Sequence, residues 1–147
     1  MDFELFWNRR AVIRMRWKKI NNEQDIQEIQ KLYNNFMDAE IVSFRFDSGN
    51  YVDDNMVGHE YMENDFFIIF QRMDILPFSI EVHFIEMRRI NFYAPLCNER
   101  SSCIDFAQFV KRDEYIYWTK QRNVQESELR FDMTFVEAKE AEWRILS

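Results

Sequence analysis

Apolar residues recur at every second position in several separate stretches of this chain, and no other feature limits its fold more. Val42, Phe44 and Phe46 alternate with Ser43, Arg45 and Asp47, and Ile80, Val82 and Phe84 alternate with Glu81 and His83. Leu129, Phe131, Met133 and Phe135 alternate with Arg130, Asp132 and Thr134. Successive side chains of an extended chain point to opposite faces, so this period predicts antiparallel strands buried on one face. Phe66 to Phe70 is apolar throughout, which predicts a strand in the middle of the sheet, partly under a helix. The start repeats the pattern, with Phe3, Leu5 and Trp7, then Ala11, Ile13, Met15 and Trp17, and Asn8-Arg9-Arg10 as the turn between. Further strands are expected at 89–93, 115–119 and 139–146.

One stretch breaks the period. Ile26, Ile29, Leu32, Tyr33, Phe36 and Met37 recur at helical spacing, with Gln27, Glu28, Gln30, Lys31, Asn34 and Asn35 on the other side. Asn22 before Glu23 and Asp25 marks the start, because an Asx side chain caps free N–H groups and acids complement the helix dipole. An amphipathic helix over about residues 23–37 follows. The expected class is therefore α+β: a meandering antiparallel sheet of about eight strands with one amphipathic helix packed on it, in a single domain spanning 1–147. With 147 residues the chain is long enough to bury a core without disulfides.

Only two glycines are present, Gly49 and Gly58. Loops that cradle phosphate or a dinucleotide need several, so no cofactor is expected. No apolar stretch reaches the roughly 18–20 residues of a membrane span, and the start lacks the apolar core of a signal peptide. The expected location is the cytoplasm, without a membrane partner. Cys97 and Cys103 then read as free thiols, close enough along the chain to pair on oxidation.

Charge is uneven. Residues 1–19 carry a net +4 through Arg9, Arg10, Arg14, Arg16, Lys18 and Lys19, so the remainder carries −11 of the total −7. The basic start reads as a charged strand face that resists aggregation, and a pI of about 4.9 argues against a nucleic-acid partner. Between Asp47 and Asp65 six acids meet no Lys or Arg. Asp53, Asp54, Glu60, Glu63 and Asp65 of this long connection are the candidate contacts for a basic protein, since clustered like charge steers association. The alternative is a solvated loop that aids solubility.

Most of the 25 aromatic residues fall on apolar registers and belong to the core. Tyr115, Tyr117 and Trp118 stand apart, following Lys111, Arg112, Asp113 and Glu114. Tyr115 and Tyr117 share one face and Ile116 and Trp118 the other, so one pair is a candidate set of binding anchors. For metal, His83 and Glu86 point to opposite faces of a strand, and Cys97, Cys103, His59 and His83 lack short ligand spacing. No metal site is expected. A small enzyme would have to work through His59 or His83, the only two histidines, set against an acid in a cleft.

Three segments resemble a known family. Asn35-Phe36-Met37-Asp38-Ala39-Glu40-Ile41-Val42-Ser43 reads as a helix end running into the first long strand, and Phe78-x-Ile80-x-Val82-x-Phe84 as an amphipathic central strand. Ala138-x-x-Ala141-x-Trp143-Arg144-x-Leu146 reads as a terminal strand. Together, over residues 35–147, they resemble bacterial polymorphic-toxin immunity proteins of the immunity-protein-50 kind. That resemblance implies a cytoplasmic antidote that is not an enzyme and that occludes a cognate toxin domain, often a basic nuclease. A second reading of the same acidic surface is a phage or mobile-element inhibitor, or a nucleic-acid mimic, acting on a host nuclease. One helix covers only part of such a sheet, which leaves room for a homodimer.

Overall fold

The computed structural model describes residues 16–94, 103–122 and 134–147. The expected strands at 3–7, most of 11–17 and most of 129–135 lie outside these residues, as does Cys97.

Nine strands and one α-helix are present among the described residues. In chain order they are β1 (Lys18–Lys19), α1 (Glu23–Leu32), β2 (Glu40–Asp47), β3 (Tyr51–Val52), β4 (Gly58–His59), β5 (Asp65–Gln71), β6 (Ser79–Asn91), β7 (Gln108–Arg112), β8 (Tyr115–Thr119) and β9 (Phe135–Ile145). The main sheet runs β2-β5-β6-β9-β8-β7, all antiparallel, with β1 also paired to β9. β3 and β4 form a separate two-stranded sheet inside the β2–β5 connection. The fold is α+β and dominated by its sheet, as the alternation requires.

The helix starts where the cap predicts. Asn22 Oδ1 accepts from the Asp25 N–H at 2.9 Å, and Asp25 Oδ2 accepts from the Asn21 N–H at 2.8 Å, so two free donors are satisfied reciprocally. It stops at Leu32, five residues earlier than the apolar spacing suggests, because Asn34, Asn35 and Phe36 hold φ of 48°, 52° and 61°. Those residues form a short 3-10 turn that drops Phe36 into the core. There its ring meets Phe70 at 5.0 Å, Tyr33 at 5.4 Å and Trp118 at 5.8 Å, and this packing offsets the backbone strain. Leu32 and Met37, assigned by spacing to the apolar stripe, are instead exposed.

α1 covers one face of the sheet. Ile26, Ile29 and Tyr33 pack with Phe66, Ile68 and Phe70 of β5 and with Ile80, Val82 and Phe84 of β6. Glu86 interrupts β6 with φ 51°, and core membership passes from Phe84 to Met87 and, on β9, from Ala141 to Ala138, three residues apart instead of two. Just beyond Glu86, between Met87 and Arg89, the register against β9 shifts by one residue in the manner of a bulge. Of the separate strand expected at 89–93, residues 89–91 are the end of β6, and Phe92 and Tyr93 follow it. β2 departs from expectation in burial: Val42, Phe44 and Phe46 are each about half exposed, because a register shift between Ile41 and Ser43 gives the core contact to Ile41 in place of Val42, and because β2 ends the strand order while the helix packs nearest β7.

Candidate functional site

The β2–β5 connection is a built hairpin. Ser48 O accepts from the Glu63 and Asn64 N–H groups and closes its base at 2.9 and 3.4 Å. Asn50 Oδ1 accepts from Tyr61 and Met62 N–H at 2.7 and 2.9 Å, tying the outgoing strand to the returning one. Gly49 holds φ of 75°, a conformation that favours glycine, and packs beside the Glu63 side chain, whose carboxyl group would sit 3.0 Å from an added Cβ. At the tip, Asp53 Oδ1 accepts from Asn55 N–H at 2.9 Å and Val57 N–H at 3.0 Å, while Oδ2 meets His59 Nε2 at 2.8 Å. The hydrogen bond with His59, then those from Val57 and Asn55, hold the Asp53 carboxyl below the usual carboxylate range. Tyr51 stacks on His59 at 4.6 Å and on Tyr61 at 6.1 Å, giving the hairpin an aromatic ladder.

The five candidate acids therefore divide. Asp54, Glu60 and Glu63 are exposed. Asp53 and Asp65 turn inward and are each taken by a histidine. Asp65 belongs to a cluster on the sheet face opposite α1: His83 Nε2 meets Asp65 Oδ1 at 2.8 Å and Nδ1 meets Glu142 Oε1 at 2.9 Å. The His83 ring lies flat on Phe67 at 4.2 Å, beside Trp17 at 5.7 Å. Arg45 covers the Phe67 ring and Arg144 the Trp17 ring, each at 4.4 Å, and Arg144 pairs with Glu81 at 2.7 Å. Sequence reasoning set His83 against Glu86; its partners come from neighbouring strands, which register alone brings together.

Trp118 is a correction. It is fully buried against Phe36 and Phe70, so it cannot be a binding anchor, and its indole N–H finds no acceptor among the described residues. The pair facing outward is Tyr115 and Tyr117, both half-buried. Burial raises the Tyr117 hydroxyl above its ordinary value, with the nearby Glu137 carboxylate adding to the effect. Arg88 covers the Tyr115 ring at 4.8 Å and donates to its hydroxyl.

The hairpin base and the tyrosines meet. A cleft has Met62 and Asn64 on one side and Glu114 and Tyr115 on the other, and a shallower depression continues from Glu114 and Tyr115 to Arg112 and Tyr117. Neither His59 nor His83 lines either hollow. Among the described residues no cluster of three or more His, Cys, Asp or Glu is placed to hold a metal ion. Cys103 Sγ donates to Glu40 Oε1 at 3.0 Å. No helix among the described residues is long and apolar enough to cross a membrane.

Fold and surface together define a sheet-dominated α+β protein carrying an ordered acidic hairpin beside a tyrosine-lined hollow. Comparison of the chain with protein-family models, with curated proteins and with solved structures finds no match.

Proposed function

We propose that this chain is a binding protein that neutralises a basic partner, a toxin domain, by laying its acidic hairpin over the partner's active surface. The observation that carries this reading is the order of the hairpin. Its backbone is pinned at base and tip, while Asp54, Glu60 and Glu63 project beside exposed Tyr51, Tyr61 and Met56, with no Lys or Arg between Asp47 and Asp65. A surface ordered before contact loses little conformational entropy on binding. The acids set association rate and partner choice, and the aromatic and methionine side chains supply the desolvated contacts. The resemblance to immunity proteins supports the choice of a toxin, acting in the cytoplasm, as the partner. No bond is made or broken by this chain in that role.

The test is co-expression with the toxin domain encoded beside its gene, followed by association kinetics with the purified pair. The chain should restore growth, and D54N/E60Q/E63Q should associate about tenfold more slowly at low salt, with the difference shrinking as salt rises. Association of the triple variant at the wild-type rate at low salt would overturn the reading.

A further inference from the structure

The cleft between the hairpin base and Tyr115 has a volume of roughly 300 Å³ and is built from four separate segments of chain. It is lined by Met62 and Asn64 of the hairpin base, Glu86, Met87 and Arg88 of β6, Glu114 and Tyr115 at the start of β8, and Lys139 of β9. Met62, Asn64 and Glu86 hold φ of 53°, 50° and 51°, a region that side-chain-bearing residues seldom occupy. The Met87 N–H donates to Asn64 O at 2.9 Å and ties the hairpin base to β6. Backbone held in sparsely populated conformations around one hollow is the mark of a shape imposed from outside local preference.

Its charges balance. Arg88 and Lys139 bring two cations; Glu86 and Glu114 bring two anions. Lys139 and Glu86 sit 3.7 Å apart with both side chains more than half exposed, a loose pair that water screens and a ligand can open. Glu114 has no ion-pair partner among the described residues. A ligand of one sign would meet as much repulsion as attraction here. A ligand with both signs a few ångströms apart satisfies both sets.

We propose that this cleft binds a free zwitterionic α-amino acid with an extended apolar side chain. Its carboxylate lies on Arg88 and Lys139, and its ammonium on Glu86 and Glu114. The Arg88 guanidinium stacks on the Tyr115 ring and donates to its hydroxyl, which leaves its remaining N–H groups for a carboxylate, and the exposed Met62 thioether, which adapts to irregular shapes, receives the side chain. The small volume matches a ligand of this size rather than a larger cofactor. The site shares Met62 and Asn64 with the hairpin base, but the inference does not rest on the hairpin's role with a protein partner.

The full chain carrying methyl-labelled methionine, titrated with each of the twenty amino acids at millimolar concentration, tests this by NMR. The Met62 methyl signal should move and saturate with at least one extended apolar amino acid. Its N-acetyl derivative, which lacks the ammonium, and its amide, which lacks the carboxylate, should each bind about tenfold more weakly. E114Q and K139M, both at exposed positions, should weaken binding of the free amino acid while leaving the remaining methionine signals in place. Silence across all twenty amino acids, or equal binding of the blocked derivatives, overturns the proposal.

Discussion

His83 lies on Phe67 with ring centroids 4.2 Å apart and planes 9° from parallel, which aims its two nitrogens at carboxylates on either side, Asp65 and Glu142. The stack fixes the ring plane and the two hydrogen bonds fix its rotation, so one side chain fastens β5, β6 and β9 on the face that α1 leaves uncovered.

Removing that side chain leaves two half-buried carboxylates facing each other without a donor. His83→Ala should cost about 2 kcal/mol, read as a lower midpoint in urea unfolding. His83→Ala with Glu142→Gln should recover part of the loss, because it relieves the repulsion between Asp65 and Glu142. A double variant no more stable than the single one would show that the loss comes from the Phe67 stack instead.

The same cluster shows where a sequence stops being readable. Period two marks Tyr115–Thr119 to the residue, because buried Ile116 and Trp118 alternate there with half-buried tyrosines. The equally regular Val42, Phe44 and Phe46 mislead about burial, since alternation says which side chains share a face and not whether anything covers it. Asp65 and Glu142 reach His83 from 18 and 59 residues away, and only strand register brings them there. The acidic hairpin was legible as charge but not as structure. Its order depends on hydrogen bonds that the Asn50 and Asp53 side chains accept from backbone N–H groups, which no period encodes.

The acids of the hairpin should separate in their effects. D54N/E60Q/E63Q should leave the unfolding midpoint within about 0.5 kcal/mol of wild type, because all three side chains are exposed. Asp53→Asn should instead loosen the tip, read as faster hydrogen exchange at the Asn55 and Val57 amides that Asp53 accepts from. The Asp53 carboxyl is held low, so this contribution is present above the unfolded value near 3.8 and is lost as pH falls through the lower folded value. Exchange at Asn55 and Val57, measured while acidifying below pH 4, should show it.

Tyr33 gives the opposite sign. Burial pushes its hydroxyl up to about 12, while the neighbouring Arg72 pulls it partly back, and the O–H donates to Phe78 O at 3.0 Å. A raised value means the folded state prefers the neutral phenol. The stabilisation is complete below about pH 10, where the unfolded phenol titrates, and is lost as pH rises toward about 12. Phenolate absorbance during an alkaline titration should show a late tyrosine that ionises with unfolding, and Tyr33→Phe should remove that late step.

Arg72 is buried, and its hydrogen bonds among the described residues all go to carbonyls. Its Nε donates to Pro77 O at 3.0 Å, and its Nη2 to Leu32 O at 3.0 Å and Leu76 O at 3.4 Å, with the guanidinium 4.1 Å from the Tyr33 ring. Leu32 O lies at the C-terminal end of α1, where the helix dipole favours a cation, so one side chain joins the helix end to the β5–β6 turn. Arg72→Met keeps most of the volume but strips these carbonyls of their donor, and should cost about 3 kcal/mol in chemical unfolding. Arg72→Lys keeps the charge but has no planar fork to reach carbonyls in two directions, and should recover less than half of that loss. Equal stability of Arg72→Lys and wild type would show that charge at the helix end, not the forked geometry, holds the turn.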